Sequence, residues 1–213
     1  MGAQGMAPRR RLRHGVTMRF VLKTLLKRIA HGLCLMAVFP CAAASAFGRW
    51  EPAYTFFAQV YALAPGLPGD YLRIAFCKLT LEECSLSSRV SFGSFFAHRE
   101  TRLGANAYIG SYCVIGRAAI GERAQIASGV QILSGSRQHV RDEDGEISGA
   151  EQGIFTTVGI GAHCWIGAAA VVMADVGEGA TVGAGSVVTR PIPAHSVAVG
   201  NPARVIRSFA ADS

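Results

Sequence analysis

Aliphatic residues recur every six positions through the middle of this chain. Leu103, Ile109 and Ile115 are six apart, as are Ile120, Ile126 and Ile132, with one slip between the two sets. Glycine follows four of these first five, and Ala127 fills the fifth place. The pattern returns at Ile160 and Ile166 and, after another slip, at Val176 and Val182. An α-helix would turn positions six apart about 120° away from each other, so no helical face collects them. A short strand followed by a sharp corner does collect them, because each sixth side chain points inward and stacks on its copy in the next coil. The next residue sits at the corner and must be small or tolerate unusual backbone angles, hence glycine. No coil buries its apolar face alone, but stacked coils do. A period this short indicates a parallel β-helix. The competing reading is a Gly/Ala/Val-rich sandwich whose spacing is accidental.

Half of the 213 residues are hydrophobic and only 16% are charged, which excludes a disordered chain. The length fits one domain with an appendage. The net charge of +7 is uneven: residues 1–28 hold eight of the 21 Lys/Arg and no acid. The basic balance therefore belongs to the N-terminus, and no nucleic-acid partner is expected for the body. The six cysteines form no CxxC pair, which fits a reducing compartment and no zinc. Cys113 and Cys164 fall inside repeats and read as small core residues.

Residues 1–48 form a basic and apolar N-terminal segment, with an arginine-rich stretch over 1–14 that reads as disordered. Val16 to Arg28 reads as a basic amphipathic helix. Ile29 to Phe47 is an apolar run interrupted by His31, Gly32 and Pro40, borderline for a spanning helix. Three readings stay open. One is a signal peptide ending at the AAASA run. The second is a membrane-embedded or interfacial anchor whose basic flank meets anionic headgroups. The third is a helix packed against protein alone. Residues 49–88 read as a helical cap that covers the open strand edges of the first coil. Within it, Glu51 to Leu63 is a helix, PGLPGD at 65–70 is a turn, and Tyr71 to Leu79 is a helix with Arg73 and Lys78 outward. Residues 89–206 make the β-helix, with Ser91 to His98 an irregular first coil, and 207–213 a tail.

The repeat and its C-terminal run VGAGSVVTRPIPAHSVAVGNPARVI together resemble the hexapeptide-repeat acyltransferases. The likeness runs from Val90 to Ile206 and is strongest to the sugar and polysaccharide O-acetyltransferase branch, which holds maltose, galactoside and exopolysaccharide enzymes. The PGLPG turn followed by a helix is similar to that branch too. This resemblance implies a left-handed parallel β-helix, acetyl-CoA as acyl donor, no metal, and a homotrimer with sites between subunits.

The period disappears from Ser134 to Thr157, and this polar insert carries His139. Long loops in a repeat fold are functional or mere surface bulges. A hydroxyl is a poor nucleophile at neutral pH, and histidine titrates where it can take the proton. A loop histidine taken alone reads as solvated; the resemblance implies that His139 is the general base. It also implies that the backbone N–H of Ala168 stabilises the oxyanion. Trp165 matches the tryptophan beside the donor's pantetheine arm, with a coil-stacking aromatic as the alternative. Ala184, Thr189, Arg190 and Arg204 match the CoA-contact region, where arginine grips phosphate at two points; otherwise the two arginines are solvated charges. His163 and His98 are candidate acceptor contacts, and His195 reads as structural. Gly110 and Ser111 stand where relatives orient the sugar with asparagine, so the acceptor site differs. The run Asp142, Glu143, Asp144 and Glu146 either orients His139 or is a solvated loop.

The expected activity is acetyl-CoA-dependent O-acetylation of a saccharide hydroxyl in surface polysaccharide biosynthesis, whether exopolysaccharide, capsule or O-antigen. The acceptor is a saccharide or lipid-linked glycan. The expected location is cytoplasmic, at the inner face of the cell membrane. Alternatives are a non-glycan small-molecule acceptor, such as an antibiotic or an amino group, and a non-catalytic scaffold. A zinc β-helix hydratase needs converging histidines close in sequence, whereas His139 and His163 are 24 apart.

Overall fold

The computed structural model describes residues 11–135, 146–147 and 155–209, with side chains from residue 21. Three helices lead into a solenoid of about five turns. The helices are α1 (Arg11–Ala44), α2 (Glu51–Ala62) and α3 (Gly66–Thr80). The first three coils are β1 (Glu83–Cys84), β2 (Arg89–Val90) and β3 (Phe95–Phe96), then β4 (Arg102–Leu103), β5 (Tyr108–Ile109) and β6 (Val114–Ile115), then β7 (Ala118–Ile120), β8 (Gln125–Ile126) and β9 (Gln131–Ile132). After the insert come β10 (Val158–Ile160), β11 (Trp165–Ile166) and β12 (Val171–Val172), then β13 (Thr181–Val182) and β14 (Val187–Val188). The chain ends in β15 (Ser196–Val199) and β16 (Arg204–Ser208).

Every pairing but the last is parallel, giving three sheets in the orders β1-β4-β7-β10, β2-β5-β8-β11-β13-β15-β16 and β3-β6-β9-β12-β14. They are the first, second and third faces of a left-handed prism. Isolated bridges through Val176 and Ile192 extend the first face. Inside, each face carries a column of buried side chains: Leu103, Ile120 and Ile160 on the first, Ile109, Ile126 and Ile166 on the second, and Ile115, Ile132 and Val172 on the third. Stacking puts every coil's apolar residue against two copies of itself.

Of the two roles expected of glycine at the corners, smallness is the one used. The glycine after each aliphatic is needed for space: a Cβ on Gly110 or Gly167 would lie 2.5 Å or 2.4 Å from the next coil's backbone nitrogen. The unusual backbone angle falls two residues later. Asn106, Tyr112, Arg123, His163 and Ala169 all have positive φ, each three places after a core aliphatic. For a non-glycine residue that conformation costs about 1–2 kcal/mol. It aims the N–H at the previous coil: His163 donates to the Glu122 carbonyl at 2.9 Å and Ala169 to that of Ser128 at 3.0 Å. A small buried residue follows, as at Ala107, Ala124 and Ala170. Cys113 and Cys164 occupy the same place, and burial raises both thiols above their ordinary value.

The first coil is regular, not irregular, and begins at β1: Cys84, Val90 and Phe96 pair in register with Leu103, Ile109 and Ile115. Helices α2 and α3 close over it. The Tyr54 hydroxyl donates to the Phe96 carbonyl at 2.9 Å, and the Gly93 N–H donates to the Ala62 carbonyl at 2.8 Å.

PGLPGD is not a free turn. Pro65 precedes the first helical residue of α3, and Pro68 sits in its first turn, where a missing N–H costs no hydrogen bond. Arg73 does not point outward. It is 2% exposed and donates to the carbonyls of Tyr61, Ala62 and Ala64 at the end of α2 and to Val90 in β2. Its charge is met by Asp70, whose other oxygen lies 2.7 Å from Arg89. The free carbonyls of a helix C-terminus are what such a cation satisfies.

Helix α1 is unbroken through His31, Gly32 and Pro40. Val38 and Ala42 are wholly buried with the core, while Leu25, Ile29, Leu33, Met36 and Phe39 are exposed on the opposite side.

Candidate active site

The insert leaves the prism after β9 on the third face and returns at β10 on the first, so it springs from the third-to-first edge. His139, Asp142, Glu143 and Asp144 lie outside the described residues. The two ends of the insert are tied together: the Thr156 N–H donates to the Ser134 carbonyl at 3.0 Å, and the Arg117 N–H donates to Ser134 Oγ at 2.9 Å. Phe155 at the returning end lies edge-on to His98, with ring centres 5.5 Å apart, and under the Arg117 guanidinium at 5.3 Å.

These residues border a pocket of about 100 Å³ lined by Arg49, Glu51, Tyr54, His98, Arg99, Glu100 and Arg117. Burial, then the positive charge of Arg117, push the His98 pKa below the ordinary histidine value, with Glu51 and Glu100 opposing. The imidazole is therefore neutral at pH 7 and can share a hydrogen bond with a hydroxyl. The structure thus places His98 at the root of the segment that carries His139.

The remaining candidates fall on different parts of the prism. Thr189 and Arg190 are exposed on the third-to-first edge, the edge of the insert, two coils further on. Ala168 and Ala184 lie one above the other on the second-to-third edge, linked by the Gly185 N–H donating to the Ala168 carbonyl at 2.8 Å. Among the described residues no acceptor meets the Ala168 N–H, so it is available to an oxyanion. The Ala184 N–H is equally unengaged, a property of the turn geometry. Trp165 projects from the second face between Gln125 and Thr181 and is 59% exposed, so it stacks in no core. His163 is exposed on the first-to-second edge. Arg204 is exposed on β16, its guanidinium donating to the Ala203 carbonyl at 3.0 Å.

No single stretch of one chain's surface holds all of them. His98, Thr189 and Arg190 lie on the third-to-first edge, away from the corner carrying Ala168 and Ala184. Among the described residues no group of three or more His, Cys, Asp or Glu is placed to hold a metal.

Sequence reasoning missed Arg49, Arg99 and Arg117. They come from the α1–α2 link, the corner after β3 and the corner after β6, so no motif spacing joins them. The available signal is the spacing itself: Phe96 to Leu103 is seven residues and Ile115 to Ile120 is five, at the two corners that supply Arg99 and Arg117.

Fold and repeat define a hexapeptide-repeat, left-handed parallel β-helix. Residues 157–190 match the family model described as the hexapeptide repeat of succinyl-transferase. The chain is 50% identical over 54 residues to a Staphylococcus aureus protein named "Putative acetyltransferase", covering 24% of this chain and 27% of that one. It is 37% identical over 92 residues to a Schizosaccharomyces pombe protein of the same description, 42% of each. The chain thus spans less than half the length of these curated relatives. Among solved structures, a maltose O-acetyltransferase from Clostridium difficile 630 superposes with a TM-score of 0.65 at 22% identity, covering 80% of this chain and 91% of that one.

Proposed function

We propose that this protein is an acetyl-CoA-dependent O-acetyltransferase whose acceptor is a saccharide hydroxyl, acting in surface polysaccharide biosynthesis. The observation that carries this reading is the insert of a solenoid similar to acetyltransferases, rooted beside a neutral, half-buried His98. His139 takes the acceptor's proton as its oxygen attacks the thioester carbonyl. The Ala168 N–H receives the developing oxyanion. The intermediate collapses, the C–S bond breaks, and CoA leaves with the proton returned by His139. The nucleophile belongs to the acceptor, so no enzyme Ser or Cys is acylated. Trp165, Ala184, Thr189, Arg190 and Arg204 hold the donor, and His163 and His98 the acceptor. The assignment requires a homotrimer, in which a neighbour brings its second-to-third corner to the edge that bears the insert.

The location we propose is the cytoplasmic face of the membrane. Helix α1 contains a stretch, Val21–Ala44, long and apolar enough to cross a bilayer. It lies in the membrane surface instead, because spanning would strip Val38 and Ala42 from α3 and the core. Its outward side, with Trp50, Phe56 and Leu63 beside it, offers the apolar face, and Lys23, Lys27 and Arg28 meet anionic lipid.

The test is CoA release by full-length protein from acetyl-CoA across sugars, nucleotide sugars, lipid-linked glycans and amino acceptors. Acceptor-dependent release should fall by about 10²–10⁴-fold in His139→Ala. Release unchanged in the variant removes the base assignment. Absence of acetyl-CoA binding removes the enzyme reading in favour of a scaffold, and release only with amines moves the acceptor class.

A further inference from the structure

Three guanidinium groups and one imidazole border the pocket at the insert root, against two carboxylates. Among the described residues no hydrogen-bond acceptor meets the buried Nε of Arg99 or of Arg117. Among the described residues Arg117 pairs with Glu100, whose Oε2 stands 3.9 Å from Nε, beyond hydrogen-bond reach. Arg117 is further held by Phe155 beneath its plane. Buried N–H donors are satisfied in folded proteins, and guanidinium groups short of acceptors beside one small cavity favour an oxyanion at their outer nitrogens. The cavity, about 100 Å³, has room for roughly three waters or one oxyanion, and not for a sugar ring.

We propose that the pocket between Arg49, His98, Arg99 and Arg117 is an oxyanion subsite that takes a phosphoryl or carboxylate group carried by the acceptor. Arg99 and Arg117 supply guanidinium donors, Arg49 closes the side towards α2, and His98 bonds a neighbouring hydroxyl. Glu51 and Glu100 leave one net positive charge, enough for a single anion. That the anion belongs to the acceptor rests on the transferase reading; that the pocket binds an oxyanion does not.

The test is calorimetric titration of full-length protein, without donor, using inorganic phosphate, methyl phosphate and glucuronate. One anion binds per chain, and R99Q and R117Q each weaken it by about tenfold or more. R102Q, at the exposed Arg102–Glu82 pair, leaves binding unchanged. R99K and R117K retain the charge without the planar fork and also weaken binding; thermal unfolding shows which variants are folded. Methyl phosphate binding tighter than glucuronate assigns a glycosyl phosphate; the reverse order assigns an acidic sugar. Wild-type protein that binds none of the three, or folded R99Q and R117Q that bind as wild type does, overturns the subsite. In turnover, R99Q raises KM for an anionic acceptor and leaves KM for a neutral one unchanged. Anion binding that persists where no acceptor is ever acetylated defeats the transferase reading alone. Equal KM changes for neutral and anionic acceptors overturn the acceptor role.

Discussion

Two edges of the prism keep strict time and the third does not. From Cys84 to Val90 to Phe96, from Leu103 to Ile109 to Ile115, and from Ile160 to Ile166 to Val172, each step across the first-to-second and second-to-third edges is six residues. Across the third-to-first edge the steps are seven from Phe96 to Leu103, five from Ile115 to Ile120, and four from Val172 to Val176 and from Val188 to Ile192. The insert is the extreme case, between Ile132 and Ile160. At the timed edges a left-handed residue, a small buried residue and an N–H aimed at the coil below leave no freedom of length. Among the described residues the untimed edge has a left-handed turn only at Gly135, where the insert begins, so chain can be added there without moving any column. The unpartnered arginine donors, His98, Thr189, Arg190 and the insert all collect on it. The lesson is that the edge doing least for the fold is the one free to carry chemistry.

That contrast can be broken by experiment. The largest stability effect should come from Arg73→Met. It leaves Asp70 short of its buried cation and the α2 carbonyls unmet, at about 3–5 kcal/mol by denaturant unfolding. Next, Ile166→Ala on the second face should cost about 2–5 kcal/mol. A single glycine inserted between Arg190 and Pro191, on the untimed edge, should lower stability by less than about 1 kcal/mol by the same unfolding. A cost as large as that of the core truncation means that this edge does not tolerate added chain.

The smallest effect is a matter of pH. Because His98 is depressed in the folded state, the unfolded chain binds more protons just below its ordinary pKa of 6.5. Its contribution is therefore fully present above pH 6.5 and is lost as pH falls through that value towards the folded pKa. His98→Gln should flatten this part of the stability profile between pH 7 and 5, and a profile identical to wild type would mean that the ring titrates freely.

The coil stack from Leu103 onward was legible because an aliphatic–glycine pair every six residues suits almost no other architecture. The first coil was not, because Ser85, Ser91 and Ala97 stand where glycine marks the later corners. Arg73 was misread because helical spacing says which residues share a side, not that a neighbouring helix ends there with open carbonyls. Glycine's role stays open in the sequence for a related reason: smallness shows there without saying whether space or dihedral demands it. The order of candidates along the chain was plain, but their distribution over three edges needed the coil register. The pocket was invisible, since its arginines meet only through the stacking of separate coils and the return of the α1–α2 link.

Both ends of the stack are closed. Helices α2 and α3 lie over the first coil, and at the far end β16 runs antiparallel across β15. A parallel solenoid with bare ends would be a template for head-to-tail growth, each molecule extending the sheets of the last into a fibre. Here the reversed direction of β16 presents the wrong polarity for a further parallel coil. The described stack is thus bounded on both sides, so that an architecture built on unlimited repetition offers no free parallel edge for another copy to extend.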